Sequence, residues 1–234
     1  MDNKTYEYVE DRSMTIQQYI NNIFKWMIIG VLTTFVTAFA LEKSSFMSYA
    51  GMLMLMFIFM FILIIFQFAV VIGLSRRLMT MKPITAKVLY MIYSVITGVT
   101  FSYVIASYTS FSVALAFLVA AIYFGVLVVL GTVIKMDLTR IGTICLAGLF
   151  VYIIFSVIVM IFHLGVGTLI MPLISLALFA GITAYDMQKS LQLYNYASSN
   201  PEMLEKLSIY GAFNLYLDFV NIFLDILQLL GDNK

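Results

Sequence analysis

The chain has 234 residues, of which 63% are hydrophobic and only 11% charged, and its mean hydropathy is +1.03. A soluble domain is nearer half apolar and a quarter charged, so this composition describes a polytopic membrane protein with almost no room for soluble domains. The net charge of +1 gives no pull toward nucleic acid, a single cysteine (Cys145) cannot form an internal disulfide, and a single histidine (His163) rules out a His-rich metal site.

Met1 to Asn22 is polar and carries both signs of charge. It lacks the basic start and apolar core of a cleavable signal peptide, so the first span is expected to act as its own insertion signal. About 20 apolar residues cross a bilayer as a helix. Seven stretches qualify: Ile23 to Leu41, Phe46 to Leu74, Val88 to Ser107, Phe111 to Ile134, Ile141 to Phe162, Val166 to Met187 and Leu207 to Leu230. The expectation is one all-α domain over the whole chain, a seven-helix bundle with mostly antiparallel neighbours. The second stretch is longer than a bilayer needs and is expected to tilt or to extend beyond it.

Lysine and arginine orient the bundle. With the N-terminus inside, Lys4, Arg12, Lys25, Arg76, Arg77, Lys82, Lys87, Lys135, Arg140, Lys189 and Lys206 fall on the inner side, and only Lys43 and Lys234 fall outside. Seven spans then leave the C-terminus outside. Compactness and short loops favour a bacterial cytoplasmic membrane. The loop after span six, roughly Gln188 to Lys206, is the longest connection. Within it Ser199-Asn200-Pro201-Glu202 offers a capping residue, a proline in the first turn and an acid at the positive helix end. A helix starting at Pro201 is expected to run unbroken through Leu230.

Two aspartates sit where apolar surroundings make a charge costly. Asp186 closes the run Leu169 to Tyr185, and Asp218 lies inside the run Leu207 to Leu230. A charge at the bilayer centre costs roughly 2.5–3.5 kcal/mol on insertion scales, and such residues serve ion paths, proton relays or ion pairs. Span seven carries Asn214, Asp218, Asn221 and Asp225 at steps of 4, 3 and 4, which places all four on one helix face. A polar stripe on an apolar helix must face the bundle interior, so span seven is expected at the centre. The plainer account is that Asn214 and Asn221 only hydrogen-bond neighbouring helices, and that Asp225 is a solvated acid at the helix end. That account fits Asp218 less well, because a neutral asparagine joins helices with less desolvation.

Asp186 and the start of span seven share the inner side. Asp218 is 11 residues into that span, ~16 Å along a helix, so contact between the two carboxylates needs a tilt or a deeper span six. In contact both cannot stay ionised, and the pair would hold one proton. Arg76 and Arg77 end span two on the same side. They are headgroup anchors on the plain account and a latch on a carboxylate on the functional one. Gln67, ten residues before Arg77, is a further buried polar group. His163 and Asp137 are expected as solvated loop residues.

Ala184-Tyr185-Asp186-Met187-Gln188, together with the string from Ile209 through Leu215-Tyr216-Leu217-Asp218-Phe219-Val220-Asn221-Ile222-Phe223 to Leu224, resembles the Bax inhibitor motif family of seven-span membrane proteins. Leu74-Ser75-Arg76-Arg77-Leu78 and Thr97-Gly98-Val99-Thr100 also look like that family's pattern. The resemblance covers spans two to seven. It implies six helices around a central seventh and a pH-sensitive calcium leak. It also implies a sensor pair falling on Asp186 and Asp218, where Ca²⁺ would bind weakly in transit, and a latch on Arg77, with Arg76 as the competing alignment. Asp225 and Gln67 depart from it: the family more often has a neutral residue at the first and a glutamate at the second.

Four functions compete on this reading. The first is a passive, proton-gated Ca²⁺ leak, with carboxylates and amides along span seven supplying oxygens and no resident cofactor. The second is an intramembrane aspartyl protease; Tyr185-Asp186 fits half of its pattern, but Leu215-Tyr216-Leu217 replaces the Gly-x-Gly that should precede the second aspartate. The third is a non-transporting regulator that contacts other membrane proteins, such as a quality-control protease or a stress or death factor, through the polar N-terminal segment. The fourth is a proton-coupled transporter, weakened by the lack of an obvious inverted repeat. No G-x-S-x-G, P-loop or zinc spacing supports other chemistry, so a non-enzymatic role in the bilayer is expected.

Overall fold

The computed structural model describes residues 14–43, 53–77, 80–162, 169–197 and 200–232. Its elements are seven helices: α1 (Ile16–Glu42), α2 (Leu53–Arg77), α3 (Pro83–Ala106), α4 (Ser110–Val133), α5 (Thr139–Ile161), α6 (Ile170–Ala197) and α7 (Pro201–Leu230). In lipid every backbone donor needs a partner within its own segment, and long apolar runs meet that need only as helices. Polar residues mark where helices begin. Thr15 and Gln18 form a reciprocal capping box before α1, Thr109 caps α4, and the Asn200 side chain accepts from the Met203 amide at 3.0 Å, with Pro201 in the first turn of α7.

Six helices are long and apolar enough to cross a membrane: α1, α3, α4, α5 over Thr139–Val159, α6 and α7. The expected second span, Phe46 to Leu74, falls partly on residues 44–52, which lie outside the described residues, as do His163, Lys4, Arg12, Ser199 and Lys234. Helix α1 starts at Ile16, within the polar segment before the first span. One expectation needs correction: the long loop from Gln188 to Lys206 is mostly helix. α6 continues to Ala197 and α7 begins at Pro201, so only three residues separate the two helices. Hydropathy falls where a helix leaves lipid, but the helix itself continues into water.

Helix α7 is the axis of the bundle. It packs against α6, α1, α4 and α3, whereas α5 leans on α6 and α2 on α3. Phe213, Leu215, Tyr216, Ile222 and Phe223 of α7 are fully buried. Aromatic rings surround it: Phe35 of α1 meets Phe223 edge-on at 5.0 Å, and Tyr93 of α3 meets Phe213 at 5.1 Å. The outward faces are the reverse of a soluble protein. Leu32, Phe111, Ile122, Ile144 and Phe150 are exposed, and an apolar girdle of this extent is satisfied by lipid tails.

Candidate functional site: the seam between α6 and α7

Helices α6 and α7, separated by only three residues in sequence, pack as an antiparallel pair. Their register is set by a close approach: a Cβ added to Gly211 would stand 2.9 Å from Ser190 Oγ. Seven residues on along α7, and seven back along α6, Thr183 comes opposite Asp218. A further step of seven or eight places Ser175 opposite Asp225. On this register Asp186 lies level with Leu215, three residues or about 4.5 Å along the axis nearer the start of α7 than Asp218.

The two carboxylates are within electrostatic range of one another. What brings them there is the length of the hairpin. Asp186 is not at the end of its helix, since α6 runs on to Ala197, and α7 starts six residues before the apolar run at Leu207. Asp218 is 3% exposed, and its Oδ2 has no hydrogen-bond partner. The Thr183 hydroxyl lies beside it, also buried, yet forms no bond of ordinary hydrogen-bond geometry. A hydroxyl in a helix usually donates to a carbonyl one turn back; that of Thr183 is left free. Asp186 is partly buried, and the cation nearest it is Lys189, one turn on, whose ammonium also lies over the Tyr185 ring at 5.5 Å.

The remaining predicted residues divide. Asp225 is 8% exposed rather than solvated, and its Oδ2 is unpartnered too. Ser175 and Tyr152 lie beside it. The neutral members of the stripe do less: Asn221 donates to Leu217 O of its own helix at 2.7 Å, and Asn214 is only partly buried. Gln67 Nε2 donates to Thr97 Oγ1 at 3.2 Å, tying α2 to α3. Arg76 and Arg77 are exposed at the end of α2, which rests on α3. Among the described residues neither pairs with a carboxylate; the ion pairs there are Lys87–Glu205 and Glu202–Lys206. Nor do those residues hold three or more His, Cys, Asp or Glu placed to ligate a metal together. Asp137 is exposed, and hydrogen bonds from the Thr139 hydroxyl and amide, at 2.6 and 2.9 Å, hold its carboxyl below the usual carboxylate range.

Two groups escaped sequence reasoning. Gln188, the last residue of the Ala184–Gln188 string, clasps the turn between α4 and α5. Its Nε2 donates to Ile134 O at 3.0 Å and Met136 O at 2.9 Å, and its Oε1 accepts from the Leu138 amide at 2.8 Å. Tyr216, fully buried on α7, shares a 2.7 Å hydrogen bond with the Thr34 hydroxyl of α1, which also donates to Ser94 O of α3 at 2.9 Å. A polar residue in an apolar run signals both, but the sequence does not name the partner.

These features define an α-helical integral membrane protein whose central helix presents buried carboxyl groups to one neighbour. A family model described as Inhibitor of apoptosis-promoting Bax1 matches residues 16–234. The chain belongs to that family. It is similar to inner membrane protein YbhL of Escherichia coli K12, 32% identical over 221 residues, covering 94% of this chain and 93% of that one. It is also similar to a protein of Deinococcus radiodurans, 34% identical over 221 residues with 92% and 90% coverage, and to one of Borreliella burgdorferi, 29% identical over 226 residues with 93% of each covered.

Proposed function

We propose that the chain is a passive, proton-gated leak for Ca²⁺ through a bacterial inner membrane, not an enzyme. Asp186 and Asp218 share a proton as its sensor, and Arg77, with Arg76 as the alternative, is its latch. The observation that carries this reading is Asp218: a buried carboxyl with an unpartnered oxygen, within electrostatic range of a second carboxyl on the neighbouring helix. Two negative charges there have no fixed cation to neutralise both. A shared proton is the least costly occupant, and losing it either separates α6 from α7 or draws in a cation. The similarity to an inner membrane protein supports the location. In this reading α2 also crosses the membrane, giving seven spans, the start of α7 faces the cytoplasm and the C-terminus lies outside. The latch then belongs to a second conformation, in which the end of α2 leaves α3 for the start of α7 and one guanidinium meets a carboxylate.

The test is Ca²⁺ entry into proteoliposomes of purified protein loaded with a calcium dye. Flux should rise from mildly acidic to neutral pH as the pair loses its proton, and Asp218→Asn should flatten that dependence. Arg77→Ala should raise flux at the acidic end. Flux that ignores pH and is unchanged in Asp218→Asn would overturn the proposal.

A further inference from the structure

The seam does not end at the Asp186–Asp218 pair. Along α7, Gly211, Asp218 and Asp225 follow at intervals of seven residues, and on α6 Ser190, Thr183 and Ser175 meet them in turn. Asp225 and Ser175 thus repeat, two turns farther along, the carboxyl–hydroxyl facing of Asp218 and Thr183. Helix α5 adds the Tyr152 phenol. Ser175 is 3% exposed, Asp225 is 8% exposed, and Asp225 Oδ2 is buried without a hydrogen-bond donor. Asp225 lies five residues, about 7.5 Å, from the last residue of α7, so water beyond Leu230 is close. From α4, Tyr123 faces the same turn of α6 but uses its hydroxyl on Leu176 O at 3.3 Å.

We propose that Asp225, Ser175 and Tyr152 form a weak oxygen-donor site for a hard divalent cation at the end of the α6–α7 seam nearest Leu230. A carboxylate, an alcohol and a phenol are ligands suited to Ca²⁺ and poor ones for softer metals. Three protein oxygens are too few to strip a cation that takes six to eight, so the ion keeps waters from the nearby surface and its affinity is low. A cation there supplies the partner that Asp225 Oδ2 lacks within the protein. The site does not depend on the leak: a chain that binds here and passes no Ca²⁺ would overturn the proposed function and leave this site standing.

Terbium is the probe, since Tb³⁺ has calcium-like oxygen chemistry and emits when a neighbouring tyrosine transfers energy to it. Full-length protein in detergent, with no gradient, should give Tb³⁺ emission on tyrosine excitation that Ca²⁺ displaces. Asp225→Asn should weaken Tb³⁺ binding about tenfold or more, the scale of losing a charged ligand. Ser175→Ala should weaken it less, and Tyr152→Phe should dim the emission. Asp137→Asn, at the exposed turn between α4 and α5, should leave all three readouts in place. Variants are compared at equal monodispersity and thermal midpoint, and Asp225→Glu should retain binding if Asp225→Asn folds poorly. Emission that Ca²⁺ cannot displace, or that is equal in wild type, Asp225→Asn and Ser175→Ala, would overturn the assignment.

Discussion

Replacing Gln188 by alanine removes the clasp between α6 and the α4–α5 turn, and its cost can be worked out bond by bond. Three hydrogen bonds are lost, at 3.0, 2.9 and 2.8 Å. The Met136 carbonyl is at the exposed end, where water replaces the lost amide at almost no net cost. The Ile134 carbonyl and the Leu138 amide are part-buried, and Leu138 is only 3% exposed. At about 1 kcal/mol for each of those two, the clasp contributes about 2 kcal/mol. That corresponds to a roughly 30-fold change in the local opening constant. The assay is hydrogen exchange by mass spectrometry on peptides covering 134–142 in detergent, where Gln188→Ala should speed exchange by about that factor. Gln188→Glu keeps the acceptor for Leu138 and loses both donations, so it should fall between alanine and wild type. Unchanged exchange in the alanine variant would refute the clasp, and a glutamate variant equal to wild type would refute the role of donation.

Other consequences follow from close packing and from the turn itself. A Cβ on Gly131 of α4 would overlap the Ala184 carbonyl oxygen and stand 3.0 Å from Met187 Cβ, both flanking the turn of α6 that bears Asp186. Gly131→Ala should therefore lower stability by about 1–3 kcal/mol, read as a fall in thermal midpoint in detergent, and a midpoint at or above wild type would show that α4 yields freely. Asp137 has a folded-state pKa below its unfolded value because of the Thr139 bonds. Its stabilisation of the start of α5 is thus complete above the ordinary carboxylate value and is lost as pH falls through the lower folded one. Thr139 amide protection, followed by NMR through acid pH, should drop in that window in wild type and stay flat in Asp137→Asn.

The central place of α7 was legible from the 4, 3, 4 spacing of its polar residues, and the start of α7 from Asn200-Pro201-Glu202. What was not legible follows from what hydropathy measures. It records departure from lipid, so Gln188 and Lys189 looked like loop although their helix continues for two more turns to Ala197. That error in turn made contact between Asp186 and Asp218 look unforced, because Asp186 was placed at a span edge, ~16 Å short of Asp218 along the helix, instead of within a longer hairpin. The stripe also looked uniform. Asn221 can satisfy itself on its own backbone, as a short amide in a helix often does. A carboxylate cannot accept from a carbonyl, so Asp218 and Asp225 are left to the neighbouring helix. The partners of Gln188 and Tyr216 are distant in sequence, and no periodicity announces them.

The choice of hydroxyls opposite the carboxyl groups has a chemical consequence. A hydroxyl can donate to an ionised carboxylate or accept from a protonated one, whereas lysine and arginine donate only and hold the acid ionised. Thr183 beside Asp218 and Ser175 beside Asp225 therefore suit either protonation state of each acid. The free Thr183 hydroxyl, not committed to its own helix, fits that freedom. Had arginine or lysine faced Asp218, the seam would be a fixed ion pair joining two helices. With a threonine there, the acid is not tied to a fixed cation on the neighbouring helix. Lys189, the cation beside Asp186, lies one turn along the same helix and not opposite Asp218.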